Sequence, residues 1–284
     1  MSKKLSHDDK DSPEKRAMFK KLRTVSVRKL IPNLITIASI CAGLTGLRYA
    51  FESNFETAVF MVLLAALLDG LDGRIARLIK GTSQFGAELD SFADSGNFGL
   101  VPALMLYFYA LKDLGTLGWI IVLTFVVAMV LRLVRFNISL DDENAPAWTK
   151  NYFYGVSAPF GALLVMLPIY LGNIGISFFS DIPYLLWAYM LLIALLVVSR
   201  IPTFSGKLIQ IRMPRSIILP LVILLFAVAA LLFNYIWLAL IASCLIYLGL
   251  IPVSSYYYYL RLKQDNIPII DDDDVIIIDS DDTE

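Results

Sequence analysis

Four aspartates lie close together in the sequence, two on each side of a short polar connection. Asp69 and Asp72 are three residues apart, and Asp90 and Asp94 are four residues apart. Because residues at these spacings share one face of an α-helix, each pair can present its carboxylates in a single direction. The connection is rich in residues typical of turns, so the chain can return and bring the two pairs together. These turn residues are Gly81, Thr82, Ser83 and Gly86.

Such a cluster favours a bound cation, because four carboxylates at one place repel one another strongly unless they are neutralised. The ligands would all be oxygen atoms, since no cysteine lies nearby and His7 is the only histidine in the chain. Mg²⁺ and Mn²⁺ prefer oxygen ligands, and Mg²⁺ commonly keeps positions open for substrate phosphates. Gly73 would let a ligand approach the backbone, and the planar guanidinium of Arg77 could contact a phosphate. The cluster therefore predicts a Mg²⁺ or Mn²⁺ site for a phosphorylated substrate.

The composition that surrounds this cluster is that of an integral membrane protein. Of 284 residues, 58% are hydrophobic and 17% are charged, whereas soluble domains are about 45–50% apolar and about 25% charged. A transmembrane helix needs about 20 mostly apolar residues. Eight runs approach this length, so we expect an all-α polytopic bundle of about eight transmembrane helices, with seven as the alternative count. The runs begin near Ile31, Glu56, Asn97, Thr116, Tyr152, Pro183, Ser216 and Tyr235.

The basic residues predict the orientation of the bundle. Lys and Arg are concentrated in the N-terminal arm and in every second connection, which the positive-inside rule assigns to the cytoplasm. Both termini and the aspartates then face the cytoplasm. We divide the chain into a basic arm over 1–29, a transmembrane catalytic domain over 30–263, and an acidic tail over 264–284 that we expect to be disordered. We expect no nucleic-acid partner.

The residues around the aspartates resemble the signature of the CDP-alcohol phosphotransferase family, D-x2-D-G-x2-A-R-x8-G-x3-D-x3-D. All eight fixed positions match, and they are Asp69, Asp72, Gly73, Ala76, Arg77, Gly86, Asp90 and Asp94. The resemblance implies that the four aspartates bind one or two divalent ions and that Asp94 is also the general base. It further implies that Gly73, Arg77 and Gly86 help to hold the CDP group, within a core of six helices followed here by two more.

The first predicted span adds two residues to the expected nucleotide site. The segment from Ile31 to Thr36 resembles the same region of family members, which implies that Asn33 and Thr36 contribute to the CDP pocket. A plain alternative is that these polar side chains only cap and start the first helix.

Three further segments, 81–91, 97–103 and 132–137, are similar to bacterial members of the family that use L-serine as acceptor. This resemblance implies transfer of a phosphatidyl group from CDP-diacylglycerol to the serine hydroxyl, with CMP released, by a homodimer in the bacterial inner membrane. The serine carboxylate needs a cation, and Arg132 and Arg135 are the nearest candidates in sequence. Both arginines could instead be positive-inside anchors.

Two alternatives to this function stay open. The same chemistry could use another acceptor, namely glycerol 3-phosphate, inositol phosphate or choline. Intramembrane acidic residues also occur in ion-coupled and proton-coupled transporters, often with a matching repeat in the other half of the chain. The second half of this chain has no corresponding acidic pair, which favours the enzyme.

Overall fold

The computed structural model describes residues 27–140, 152–204 and 234–264, and most of these residues are helical. In chain order the elements are α1 (Val27–Phe51), α2 (Phe55–Leu78), α3 (Gln84–Asp94), a π-helical turn (Ser95–Leu100), α4 (Val101–Tyr109), a 3₁₀ turn (Leu111–Leu114), α5 (Thr116–Leu140), β1 (Tyr152–Tyr154), α6 (Ala158–Val165), α7 (Leu167–Asn173), α8 (Phe178–Asp181), α9 (Pro183–Val198), β2 (Pro202–Phe204) and α10 (Ile236–Gln264). Most of the basic arm, the span expected from Ser216 and nearly all of the acidic tail lie outside the described residues.

Helices α1 and α2 form the most extensive contact among the described elements. The chain reverses between them through Ser53, which has a positive φ of 60°. Asn54 then caps α2, since its side chain accepts a hydrogen bond from the backbone N–H of Thr57. This cap satisfies one of the N–H groups that the first turn of a helix leaves unpaired. The pairing places the face of α1 that carries Thr36 beside the end of α2 that carries the first two aspartates.

The third predicted span begins earlier than the hydrophobic run suggested. Helix α3 starts at Gln84 and continues through the π-helical turn into α4 without a break. Ser83 caps α3, because its hydroxyl oxygen accepts a hydrogen bond from the N–H of Gly86 at 3.1 Å. Asp90 and Asp94 therefore lie on a helix that leads directly into the apolar segment. This agrees with the prediction that they lie at the start of the third span.

Three described helices are long and apolar enough to cross a membrane. They cover Leu30–Phe51, Thr116–Ile138 and Ile236–Leu260. Helix α5 exposes Leu123, Val127 and Leu131 at intervals of four residues, so one of its faces is apolar and open to the surroundings, as contact with lipid requires. The opposite face packs in the core, where Phe125 and Met129 are fully buried. The total of eight spans stays a prediction.

The prediction that a span begins near Tyr152 is wrong, because residues Tyr152–Tyr154 form a strand. This strand, β1, pairs antiparallel with β2, and Phe153 lies opposite Thr203. Gly155 follows with a φ of +77°, and a Cβ there would lie 2.6 Å from the carbonyl oxygen of Val197. Only glycine tolerates both conditions. The helix begins at Ala158, and the all-α prediction is corrected by this small two-stranded sheet.

Candidate active site

The structure brings three of the four aspartates to one point. One carboxylate oxygen from each of Asp69, Asp72 and Asp90 lies within 4.8 Å of the others. Helix α2 supplies the first two residues and α3 supplies the third. The reversal between the helices includes Lys80 in the left-handed region at a φ of 53°. The predicted convergence of the two pairs across the turn is therefore observed for these three residues.

Asp94, the fourth aspartate, lies one turn further along α3, beside Asp69. Its other neighbour is the guanidinium of Arg132 on α5. Asp94 thus lies between the cluster of the other three aspartates and a buried positive charge. Asp94 therefore differs from the first three residues in having Arg132 as a neighbour.

The donor set fits a hard divalent cation. Its atoms are carboxylate oxygens, which Mg²⁺ and Mn²⁺ prefer. The Oδ1 atom of Asp69 is buried and has no hydrogen-bond partner among the described residues. A buried carboxylate oxygen without a donor is costly, whereas a cation at the cluster would satisfy it. Asp69, Asp72 and Asp90 are therefore the residues best placed to hold a metal, with Asp94 adjacent.

Helix α1 contributes to the cluster through Thr36. The Thr36 hydroxyl donates a hydrogen bond to Oδ2 of Asp72, and it also lies 3.1 Å from the carbonyl oxygen of Pro32. Both Thr36 and Asp72 are only 3% exposed. Because a buried carboxylate needs hydrogen-bond donors or cations around it, Thr36 has a place in the site beyond that of a helix-starting residue.

A cavity of about 210 Å³ opens beside the cluster. Asp72 and Asp90 form part of its wall. All five residues that the sequence assigned to CDP binding also line it, and they are Asn33, Thr36, Gly73, Arg77 and Gly86. One concave site therefore joins the start of α1, the end of α2 and the start of α3.

Two glycines of the cavity wall have different surroundings. A Cβ at Gly86 would lie 2.9 Å from Oδ1 of Asn33 and 3.1 Å from the hydroxyl oxygen of Ser83, so the wall is tightly packed there. A Cβ at Gly73 would meet only Nη1 of Arg77, at 3.6 Å. A side chain at Gly86 would thus displace Asn33 or Ser83, whereas the space in front of Gly73 is open for a ligand.

The two arginines expected to contact the acceptor have different environments. Arg132 is 7% exposed, lies 5.7 Å from the ring centre of Phe136, and has a buried Nε without a hydrogen-bond partner among the described residues. Arg135 donates from Nη1 to the carbonyl oxygen of Val198 at 2.7 Å. Val198 ends α9, so Arg135 satisfies a carbonyl that the last turn of a helix leaves unpaired.

Sequence reasoning missed three residues near the site. Ser39 and Asn97 are almost fully buried and hydrogen-bonded to each other, and Tyr247 on α10 lies near Arg132. A lone asparagine at the edge of an apolar run was a usable signal for Asn97, because a buried amide needs partners. Nothing in the sequence indicated that Tyr247 lies near Arg132, since 115 positions separate the two residues.

Comparison with known proteins agrees with this geometry. Residues 29–199 match the model of the CDP-alcohol phosphatidyltransferase family, and this range includes all four aspartates and the cavity. The chain belongs to this family. It is therefore a transferase, and helix α10 lies beyond the part that matches the family.

Several bacterial proteins are similar to the chain. A protein of Mycobacterium leprae named CDP-diacylglycerol–serine O-phosphatidyltransferase is 37% identical over 209 residues, which cover 73% of this chain and 69% of the relative. A Helicobacter pylori protein of the same name is 38% identical over 178 residues, or 62% of this chain and 73% of the relative. A Bacillus subtilis protein, again of that name, is 36% identical over 156 residues, or 52% and 84%.

Proposed function

We propose that the protein transfers the phosphatidyl group of CDP-diacylglycerol to the hydroxyl of L-serine, giving phosphatidylserine and CMP, with Mg²⁺ or Mn²⁺ as cofactor. The observation that carries the proposal is that one cavity brings the five residues assigned to CDP binding together with two of the clustered aspartates. The names of the similar proteins support L-serine as the acceptor.

The cavity suits the CDP group. Asn33 contributes an amide to the lining and Arg77 contributes a planar guanidinium, while the open backbone at Gly73 admits close approach of a phosphate. Arg77 also lies close enough to Asp90 for the two opposite charges to attract each other. A guanidinium can bind two phosphate oxygens at once, which fixes the orientation of a pyrophosphate.

A divalent ion held by Asp69, Asp72 and Asp90 would neutralise the charge of the pyrophosphate. The chain's own residues then determine where the acceptor approaches. Asp94 accepts the proton of the serine hydroxyl, and the hydroxyl oxygen forms a bond to the phosphorus that carries the diacylglycerol. The bond between that phosphorus and the oxygen of CMP breaks, and CMP leaves with the electron pair. Positioning and charge stabilisation supply most of the rate in such a transfer.

Arg132 is the first candidate for the serine carboxylate. Its guanidinium is buried beside Asp94 and retains an Nε without a partner among the described residues. If the carboxylate of L-serine pairs with Arg132, the serine hydroxyl lies close to Asp94. Arg135 already donates to Val198, so we assign it first to holding α5 against α9 and second to the acceptor.

We further propose that the protein works in the bacterial cytoplasmic membrane as a homodimer, with both termini and the active site on the cytoplasmic side. The positive-inside distribution of Lys and Arg supports the orientation. Asp69 and Asp72 lie near the end of α2, which also carries Arg74 and Arg77 and is followed by Lys80 in the turn. A soluble acceptor such as serine would then reach the site from the cytoplasm.

The proposal is tested by CMP release from CDP-diacylglycerol in detergent. Purified protein with Mg²⁺ or Mn²⁺ is given L-serine, glycerol 3-phosphate, inositol phosphate or choline in separate reactions. We expect release with L-serine and formation of phosphatidylserine, and no release after chelation of divalent ions. Release with a different acceptor alone would keep the family chemistry but overturn the assignment of serine.

A further inference from the structure

A chain of buried hydrogen bonds joins the three helical segments around the aspartates. The side-chain amide of Asn97 donates to the hydroxyl oxygen of Ser39 at 2.7 Å, and that hydroxyl donates to the carbonyl oxygen of Ala65 at 2.9 Å. Asn97 is 2% exposed and Ser39 is fully buried. These two hydrogen bonds link the π-helical turn to α1 and α1 to α2, so they fix the three elements relative to one another.

Each end of this series of hydrogen bonds lies about one helical turn from an aspartate of the site. Ala65 precedes Asp69 by four residues in α2, and an α-helix pairs the carbonyl of one residue with the N–H four positions later. Asn97 follows Asp94 by three residues, in the π-helical turn that starts directly after it. A change in the Asn97 contact therefore acts on the backbone that carries the adjacent pair Asp69 and Asp94.

The face of α1 that makes these contacts is the one that reaches the metal cluster. Thr36, Ser39 and Gly43 are separated by three and four residues, so they lie along one side of the helix. Thr36 donates to Asp72, and Ser39 receives the amide of Asn97. A Cβ at Gly43 would lie 2.1 Å from Oδ1 of Asn97, so the missing side chain at this position makes room for the amide.

The π-helical turn sets the position of Asn97 relative to Asp94. A π-helical turn has a wider hydrogen-bond spacing than an α-helix, and such turns are rare and frequent at functional sites. Here it covers Ser95–Leu100 and begins where the catalytic helix segment α3 ends. It places Asn97 against α1, while Asp94, in the preceding turn, stays beside Asp69.

We propose that Asn97 is a positioning residue, which acts through Ser39 to fix the separation of Asp94 and Asp69 and thereby sets the affinity of the site for its divalent cation. This inference rests on the proposed metal-dependent function. It predicts that removal of the Asn97–Ser39 contact weakens cation binding, whereas loss of a buried hydrogen bond elsewhere in the protein does not.

The experiment compares the variants Ser39→Ala, Asn97→Leu and the double variant with wild type, all as full chains in detergent. Thr203→Val is the matched control, because Thr203 is 3% exposed and its hydroxyl donates to the carbonyl of Gly155 at 2.8 Å, beside the two-stranded sheet. Two quantities are measured against Mn²⁺ concentration, namely the rise in melting temperature without substrate and the rate of CMP release with serine.

We expect the Mn²⁺ concentration that gives half of the melting-temperature rise to increase about tenfold in the three variants, equivalent to about 1.4 kcal/mol of binding free energy, and to stay unchanged in Thr203→Val. The double variant should shift no more than the larger single variant, because both residues act in one chain of contacts. CMP release should show the same shift in its Mn²⁺ requirement.

The double variant is less prone to misfold than Ser39→Ala alone, because it removes the donor and its acceptor together and leaves no unpaired amide in the core. If this variant folds and has the Mn²⁺ requirement of wild type, the inference is overturned and the proposed function stands. If wild type itself shows neither a Mn²⁺-dependent melting temperature nor CMP release with any acceptor, the proposed function and this inference both fall.

Discussion

The hydroxyl of Thr36 on α1 donates a hydrogen bond to the carboxylate of Asp72 on α2, although 36 positions separate the two residues. Asp72 also belongs to the carboxylate cluster and to the cavity wall. The Thr36 hydroxyl has a second acceptor in reach, the carbonyl of Pro32, and its one proton can serve only one of them fully. Thr36 therefore orients a proposed metal ligand.

Replacement of Thr36 by Val should lower kcat/KM for CDP-diacylglycerol about tenfold or more, because a hydrogen bond to a charged group contributes about 1.5–3 kcal/mol. Thr36→Ser keeps the hydroxyl and should retain most of the activity. CMP release at varied CDP-diacylglycerol concentration measures both variants. Equal activity of Val and Ser at this position would show that Thr36 serves only the start of α1.

Replacement of Asp94 by Asn should lower kcat by about 10²–10⁴, because the amide cannot accept the proton of the acceptor hydroxyl. The matched control is Asp113→Asn, which changes an exposed aspartate in the 3₁₀ turn before α5. Single-turnover CMP release separates the chemical step from substrate binding. A kcat for Asp94→Asn within threefold of wild type would contradict the assignment of Asp94 as general base.

Replacement of Gly73 by Ala should raise KM for CDP-diacylglycerol without loss of melting temperature. The added methyl group would meet only Nη1 of Arg77 at 3.6 Å, and Ala is favoured over Gly inside a helix by about 1 kcal/mol. The methyl group would, however, occupy the space open to a ligand in the cavity wall.

Gly70→Ala is the control for Gly73→Ala. It adds the same group to the same helix, and nothing lies within 4 Å of the new Cβ. We expect this control to keep the KM of wild type. A rise of KM in both variants would mean that the helix, rather than the ligand space at Gly73, causes the effect.

The residues of the cavity could be named from the sequence because their spacing carries the information. Asp69, Asp72 and Arg77 lie within three turns of one helix, and Gly86 and Asp90 lie on the next. Local spacing determines which side chains lie on the same face of a helix. The short turn between the two helices restricts how these faces are oriented toward each other. Asn33 depended on family resemblance, since its distance from the aspartates in sequence gives no local constraint.

The parts that the sequence did not reveal depend on long-range contacts. The strand at Tyr152–Tyr154 forms by pairing with Pro202–Phe204, about fifty residues away. An apolar run of aromatic residues suits a strand as well as a span, and only the partner decides between them. The Asn97–Ser39 contact spans 58 positions and was hidden for the same reason.

The two arginines of α5 should separate in mutational tests, because their surroundings differ. Arg132→Gln removes the buried charge beside Asp94 and should raise KM for L-serine about tenfold or more, since a charge-assisted contact to a carboxylate is lost. Arg135→Gln removes the donor to the carbonyl of Val198 and should lower the melting temperature, with KM for serine nearly unchanged.

Serine kinetics and thermal melting of both variants in the same detergent decide between the two roles. Lys112→Gln is the control for loss of a positive charge, because Lys112 is exposed and lies in the 3₁₀ turn before α5. A larger rise of serine KM in Arg135→Gln than in Arg132→Gln would reverse the assignment. The acceptor would then bind at the junction of α5 and α9 instead of beside Asp94, and Arg132 would serve to balance the charge of the aspartates.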